Sequence, residues 1–192
     1  HVTLMREAEV KNLVTLVKER LSGSEVTFTD VLIKVAAEAL GRHPMVNSRL
    51  EEDRIRLLNE INVNFAVAVE AGLIAPTVRS ADKFSLAEIS RLVRELSEKA
   101  RERKLTSAEY ADGTFTVSNL GMFGIDGFTP IINPPQVAIL GTGRILDRPW
   151  VEGGQVKVLP TMVLSLTFDH RVVDGADAAR FLDTIVSLLT AL

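Results

Sequence analysis

The sequence contains no cysteine among its 192 residues. A disulfide framework, a thiolate zinc site, an iron–sulfur cluster and a cysteine nucleophile are therefore excluded as the basis of its stability or its chemistry. The lack of thiols also fits a reducing compartment. We therefore expect a cytoplasmic protein, or a protein of the mitochondrial matrix if the host is a eukaryote.

An excess of charge of one sign is missing too. Twenty-two basic residues face 25 acidic ones, which gives a net charge of −3 and predicts no nucleic-acid partner. No apolar run reaches the ~20 residues of a membrane span, and no signal peptide is evident, so we also expect no membrane association. The length suits one domain. Because the chain begins without an initiator methionine, we expect a fragment of a longer protein.

Hydrophobic periodicity predicts four helices, at 10–21, 31–43, 85–104 and 175–192. Alternating or continuous apolar runs predict seven strands, at 54–58, 62–69, 73–78, 114–118, 136–141, 156–159 and 162–168. Helices and strands follow one another without regular βαβ alternation. The pattern therefore predicts an α+β fold with a mixed β-sheet.

Only three histidines are available for acid–base chemistry, and one of them is terminal. His43 stands at the end of a predicted helix, where a surface or packing role is the more common one. His170 follows an apolar strand and precedes a helix, a position from which side chains often project into sites. By spacing alone, a histidine between Asp169 and Arg171 is still more often structural than catalytic.

The motifs around His170 favour the catalytic interpretation over the structural one. Asp-His-Arg-Val-Val-Asp-Gly at 169–175, followed by Ala-Asp-Ala-Ala-Arg-Phe-Leu, resembles the active-site signature of the dihydrolipoamide acyltransferases. The stretches at 115–121 and 128–141 look like a second core motif of that family, and 63–78 looks like a third. The likeness covers nearly the whole chain in the expected order.

The resemblance implies that residues 1–192 are the catalytic core of the dihydrolipoamide acyltransferase component of a 2-oxo acid dehydrogenase complex. We then expect a two-layer α+β sandwich with a mixed β-sheet, similar to chloramphenicol acetyltransferase and trimer-forming. The lipoyl domain, the subunit-binding domain and the N-terminal helix of the family are expected to be absent from this chain. The substrates would be coenzyme A and dihydrolipoamide, with an acyl group that the sequence does not specify.

Transfer of an acyl group between thiols requires a base for the attacking thiol and a donor for the oxyanion that forms. The resemblance implies that His170 is the general base and that Ser118 stabilises the oxyanion. Asp174 has two open interpretations, either support of the histidine as in a catalytic triad or a structural bond within the loop. Asp169 and Arg171 are interpreted as structural, and they should point away from His170 if the segment is extended.

Three further residues, Asn133, Asn119 and Gly121, are expected to line the channel for coenzyme A and the lipoyl arm. A rigid turn alone would also explain the prolines that follow Asn133. No metal site is expected, although four residues of the His170 segment could be imagined as ligands. The sequence has no phosphate-binding loop and no nucleophile elbow.

The family resemblance also implies partners. Trimers would assemble into cages of about 24 or 60 subunits, with His170 from one subunit facing Ser118 of its neighbour. The lipoyl domain would deliver the substrate, and the decarboxylase and dihydrolipoamide dehydrogenase components would bind through the absent domains. The apolar segment 185–192 is a candidate for contact between trimers. The alternative hypothesis is a non-catalytic scaffold of such a complex with a degenerate site.

Overall fold

A computed structural model describes residues 1–20, 23, 25–70 and 72–192 of the chain. Its α-helices are α1 (Lys11–Thr15), which continues as a π-helical turn over Leu16–Arg20, α2 (Phe28–Arg42), α3 (Leu86–Arg101) and α4 (Gly175–Thr190). Its strands are β1 (Val2–Glu9), β2 (Ser48–Glu51), β3 (Arg54–Leu57), β4 (Val63–Phe65), β5 (Val67–Val69), β6 (Gly72–Ile74), β7 (Thr77–Val78), β8 (Phe115–Asn119), β9 (Ala138–Thr142), β10 (Leu146–Glu152) and β11 (Gln155–Phe168).

In the described part of the chain, seven strands form one mixed sheet with the order β1-β11-β9-β8-β4-β7, and β10 pairs with β11 beside this path. The central pairs β4–β8 and β8–β9 are parallel, and the other pairs of this sheet are antiparallel. Two small hairpins, β2–β3 and β5–β6, stand apart from it. The prediction of an α+β fold with a mixed sheet is confirmed.

Local hydrogen bonds fix where the long helices begin. Thr27 caps α2 and Ser85 caps α3, each in a capping box with the acidic residue three positions later, which satisfies two otherwise free backbone N–H groups. Helix α2 therefore starts at Phe28, three residues before the predicted start. The first helix begins at Lys11, one residue after its predicted start at Val10. Its predicted end at Leu21 lies outside the described residues.

The core lies between one face of the sheet and the helices. The ring of Phe115, on β8, packs edge-on against Phe181 of α4, with 5.6 Å between their centroids. Phe181 also meets the ring of His43 at the end of α2. Ile185 and Leu189 are fully buried in this same core. Two residues of the C-terminal apolar segment therefore pack within their own chain, while its role in contacts between trimers stays a prediction.

Three strands were not predicted: β1, β2 and β10. Strand β1 has exposed residues on both faces and only Ala8 fully buried, and its sequence shows no sustained apolar alternation. Its conformation is set by pairing with β11 over eight residues. The stretch predicted as one strand at 62–69 is divided into β4 and β5 in different sheets, while the two strands predicted between 156 and 168 form one continuous strand, β11. None of the helices in the described residues could cross a membrane.

Candidate active site

His170 lies in the turn between β11 and α4, and its side chain is exposed. The imidazole leans over Phe168, with 5.7 Å between the ring centroids and 38° between the ring planes. Phe168 is fully buried at the end of β11, so the base of the turn is anchored in the core. An exposed imidazole on a fixed turn is available to a group approaching from outside the chain.

The two residues beside His170 hold this turn. The guanidinium of Arg171 donates to both carboxylate oxygens of Asp169, at 2.6 Å from Nη2 and 3.0 Å from Nε. This bond lowers the pKa of Asp169. The Asp169 backbone N–H donates to Val137 at 2.8 Å, and its carbonyl accepts from Val172 and Val173. The segment is thus a turn and not the extended chain considered above, so Asp169 and Arg171 face each other in a structural ion pair.

Asp174 caps α4. Its carboxylate accepts a hydrogen bond of 2.8 Å from the backbone N–H of Asp177. Backbone hydrogen bonds from Asp177 and Ala176 lower the pKa of Asp174, and the charge of His170 makes the smallest contribution among the causes. Among the described residues, no hydrogen bond joins Asp174 to the imidazole. Of the two open interpretations, the geometry supports the backbone role.

Ser118 lies near the end of β8, on the face of the sheet turned away from α4. Because Phe115 faces α4, strand alternation places Thr116 and Ser118 on the opposite face. Within the described part of the chain, the Ser118 hydroxyl has no hydrogen-bond partner. It lines two cavities, a first of about 680 Å³ and a second of about 630 Å³, which also share Ala66 and Leu73. Ser118 therefore stands where two cavities meet.

The chain does not bring Ser118 and His170 together. The strand register aligns Ser118 with Gly141 and Gly141 with Ser165. Phe168 lies three residues beyond Ser165, so the end of β11 is roughly 14 Å from Ser118, from a rise of ~3.3 Å per residue and a strand spacing of ~4.8 Å. His170 follows two residues later, and it lines neither cavity.

The three residues expected in the channel have different surroundings. Asn133 lines the second cavity together with Ser118, next to a cis peptide bond between Pro134 and Pro135. Asn119 is used structurally: its Nδ2 donates to Thr29 at 3.1 Å and its Oδ1 accepts from the Gly121 N–H at 2.9 Å. Asn119 also lines the first cavity together with Ser118, and both Asn119 and Gly121 line a third cavity of about 390 Å³, which shares Asn119 and Thr29 with the first.

Gly121 is required by close packing. A Cβ at this position would lie 2.8 Å from the carbonyl oxygen of Gly143. His43, in contrast, is half-buried, and its Nε2 lies 2.7 Å from the Thr184 hydroxyl. Burial lowers the pKa of His43. These contacts agree with the packing role that the sequence favours for this histidine. No cluster suited to a metal ion is found among the described residues.

The model of the family described as 2-oxoacid dehydrogenases acyltransferase (catalytic domain) matches residues 1–192. The chain belongs to this family. A curated relative of this acyltransferase-family chain is the dihydrolipoyllysine-residue succinyltransferase component of the 2-oxoglutarate dehydrogenase complex of Escherichia coli K12, 40% identical over 98% of the chain. Another is the acetyltransferase component of the pyruvate dehydrogenase complex of Bacillus subtilis, 39% identical over 98% of the chain. The chain spans about half the length of these relatives, 48% and 44%.

Solved structures give the same picture of the fold of this acyltransferase-family chain. The Azotobacter vinelandii dihydrolipoamide acetyltransferase, studied for the roles of a serine, a histidine and an asparagine in its catalytic mechanism, is 34% identical with a TM-score of 0.91 over 98% of this chain and 80% of that one. The cubic core of a pyruvate dehydrogenase multienzyme complex is 34% identical with a TM-score of 0.90, again over 98% of this chain and 80% of that one. A chloramphenicol acetyltransferase is 16% identical with a TM-score of 0.65, over 98% of this chain and 87% of that one. At this identity the likeness shows the shared fold alone.

Sequence reasoning missed two buried polar residues beside the second cavity, Thr116 and Gln136. Thr116 lines the second cavity, and its hydroxyl donates to the Gln136 side chain at 2.6 Å. Both residues are buried. The signal that could have found them is a polar residue within an otherwise apolar strand region, since buried polar groups must have partners.

Proposed function

We propose that this chain transfers an acyl group between dihydrolipoamide and coenzyme A, as the catalytic core of a 2-oxo acid dehydrogenase complex. In this proposal His170 is the general base and Ser118 stabilises the oxyanion. The observation that carries it is spacing. In the Azotobacter acetyltransferase the serine and histidine of the catalytic mechanism lie 52 positions apart, and the asparagine follows four positions later. Ser118, His170 and Asp174 have the same two spacings here.

The chemistry follows from what each side chain offers. A thiol has a reference pKa of ~8.5, so it must lose its proton before it attacks, and a neutral imidazole is suited to accept that proton near neutral pH. The thiolate then attacks the thioester carbonyl and forms a new carbon–sulfur bond. When the tetrahedral intermediate collapses, the first carbon–sulfur bond breaks and the departing thiolate takes the proton from His170.

Ser118 suits the oxyanion role because its hydroxyl is available to a substrate. A hydroxyl without a partner in the described residues can donate to the negative oxygen as charge develops, and such donors act best where water is excluded. Its position at the junction of two cavities of about 680 and 630 Å³ suits a reaction in which two carriers approach from different sides. Both acyl carriers can then occupy the site together, so the mechanism needs no covalent acyl-enzyme.

The separation of Ser118 and His170 within one chain favours a site that a neighbouring subunit completes, as it would in a trimer. Ser118 and His170 are separated by far more than the ~3 Å over which a base and an oxyanion donor must share one substrate. An exposed imidazole in one copy could reach the Ser118 cavity of another. We propose that such trimers assemble into a larger cage, of about 24 or 60 subunits, in line with the cubic core of a similar chain. The lipoyl domain, decarboxylase and dihydrolipoamide dehydrogenase stay proposed partners, and a cytoplasmic or matrix location stays a prediction.

The decisive experiment measures acyl transfer to dihydrolipoamide from acetyl-, succinyl- and isobutyryl-coenzyme A. We expect turnover with at least one donor, and a loss of ~10²–10⁴-fold in kcat for His170→Ala, the usual scale for removing a general base. His43→Ala is the matched control, because His43 lies in the helix packing and should leave kcat unchanged. An equal rate for His170→Ala would disprove the role of His170. A correctly assembled wild type without activity would favour the scaffold hypothesis.

A further inference from the structure

Four buried polar side chains form one continuous chain of hydrogen bonds across β7, β4, β8 and the loop before β9. The four residues are at most 6% exposed. Asn64 Nδ2 donates to the Thr77 hydroxyl at 2.8 Å and to the carbonyl of Ala75 at 2.7 Å. Gln136 Nε2 donates to Asn64 Oδ1 at 2.7 Å, and the Thr116 hydroxyl donates to Gln136 Oε1 at 2.6 Å. The chain of bonds thus crosses three adjacent strands.

The direction of these bonds is fixed by one group. The Ala75 carbonyl can only accept, so it orients the amide of Asn64 with Nδ2 toward β7 and Oδ1 toward Gln136. Gln136 must then present Nε2 to Asn64 and Oε1 to Thr116. Each amide has one possible orientation as a result, and reversal of either one would set two donors or two acceptors against each other.

The space around this network is filled. A Cβ added to Gly113 would lie 1.4 Å from Asn64 Oδ1. Glycine is therefore required at position 113 to leave room for the Asn64 amide. A network that is fully paired and tightly enclosed holds its members in one arrangement more strictly than apolar contacts do.

Gln136 joins this network to the wall of the second cavity. It directly follows the segment 133–135, and its backbone N–H donates to the carbonyl of Asn133 at 3.1 Å. Asn133 and Pro134 line the second cavity opposite β8, while neither lines the first. On β8, the Thr116 hydroxyl that bonds Gln136 lies two residues before Ser118, on the same face of the sheet.

We propose that Gln136 is a positioning residue that fixes the Asn133–Pro135 wall relative to Ser118 and so sets the fit of one acyl-carrier arm in the second cavity. Gln136 does this through its side-chain bond to Thr116 and its backbone bond to Asn133. This assignment rests on the acyl transfer proposed above. Gln136 acts on one carrier only, because the loop that it holds borders only the second of the two cavities that meet at Ser118.

The first test replaces the amide by an apolar side chain of similar size. Gln136→Leu removes the bonds to Thr116 and Asn64 and releases the wall. We expect the KM for one carrier, coenzyme A or dihydrolipoamide, to rise roughly ten- to a hundredfold, the scale for a small misplacement in a site, while the KM for the other carrier stays unchanged. The matched control is Asn62→Leu, another buried amide whose bonds to Ser80 and Asp112 lie away from both cavities.

A second variant tests the same network by pH and does not depend on Gln136→Leu being folded. In Gln136→Glu, a protonated carboxyl can still donate to Asn64 and accept from Thr116, whereas the ionised form sets two acceptors against each other. Burial raises the pKa of a carboxyl, by ~3–5 units for a fully buried group, so the KM of the affected carrier, relative to wild type at each pH, should approach the wild-type value at pH 6 and rise toward pH 8. A purely destabilising substitution would not produce this split between carriers.

The outcomes separate the two proposals. If the wild type transfers acyl groups but Gln136→Leu leaves both KM values unchanged, or raises both by the same factor, the positioning role is wrong and the proposed function stands. The same conclusion follows if Asn62→Leu raises the KM of one carrier as much as Gln136→Leu does. A relative KM of Gln136→Glu that stays constant while carboxyl NMR shows the introduced group ionising over the same pH range also contradicts the positioning role. If the wild type transfers no acyl group to either carrier, the proposed function fails, and the role of Gln136 fails with it.

Discussion

The carboxylates on either side of His170 have different partners, and the difference matters for what each can do. Asp169 is buried and tied to Arg171 and to the backbone of the turn. Asp174 is exposed and uses one oxygen to cap α4. Neither carboxylate bonds to the imidazole within the described chain. The turn that presents His170 is therefore held by local bonds on both sides, and the imidazole is left free for substrate.

This arrangement predicts the behaviour of substitutions at Asp174. Asp174→Asn keeps an oxygen that can accept from the Asp177 N–H, so we expect an unchanged melting temperature and nearly unchanged kcat. Asp174→Ala removes the cap and should lower the melting temperature by about 2–4 °C, from the usual effect of losing an N-cap in a domain of this size. Thermal unfolding measures the melting temperature of each variant, and the acyl-transfer assay measures its kcat. A large loss of kcat in Asp174→Asn would instead support the triad interpretation.

At the scale of elements, the end of α3 is joined to the following 3₁₀ turn, Ser107–Glu109, through one lysine. Lys99 Nζ lies 2.8 Å from Glu95 and 2.7 Å from Glu109, whose other oxygen accepts from the backbone and hydroxyl of Thr106. The bond from Lys99, followed by those from Thr106, lowers the pKa of Glu109 to about 2. The pair therefore ties the helix to the turn most firmly when Glu109 is ionised.

Lys99→Met should raise the pKa of Glu109 from about 2 toward its ordinary value of 4.5. A carboxylate with a lowered pKa contributes stability above its unfolded-state pKa and loses it as the pH falls through its folded-state pKa. The variant should therefore melt below wild type at pH 7, and the difference should shrink as the pH falls from 4.5 to about 2.

Carboxyl NMR titration measures the Glu109 shift directly. Lys104→Met is the matched control, because Lys104 is paired with Glu102 and not with Glu109. An unaltered Glu109 pKa in Lys99→Met, or an equal change in the control, would show that another group sets it.

At the scale of the whole molecule, the proposed sharing of the site between subunits predicts complementation between inactive chains. In mixed trimers of His170→Ala and Ser118→Ala, some sites combine the intact histidine of one subunit with the intact serine of its neighbour. Every mixed trimer has one such site among its interfaces, so isolated mixed trimers should regain about a third of wild-type activity, as expected for a cyclic oligomer with one site per interface. Mixed trimers should be isolated with two affinity tags before the assay. Failure to regain activity in trimers shown to be mixed would mean that one chain supplies both residues.

The site residues were accessible to sequence reasoning to different degrees. His170 and Ser118 stood in motifs long enough to be recognised, although no spacing rule links two residues on different elements. Gln136 and Thr116 gave little signal, because their importance lies in bonds to each other and to Asn64 across strands. Asp174 was left open between two roles, since the sequence does not show whether a carboxylate bonds to a side chain or to a helix end.

The sequence by itself determined the composition limits, the mixed α+β class and the start of α3. Local periodicity and capping residues are encoded within a few positions, so these features can be predicted without knowledge of the fold. Only the tertiary structure decided that β1 is a strand, since its conformation depends on eight pairings with β11. It also decided that Ser118 and His170 lie far apart within one chain. That separation follows from strand order and register, and these are set by packing between residues distant in sequence.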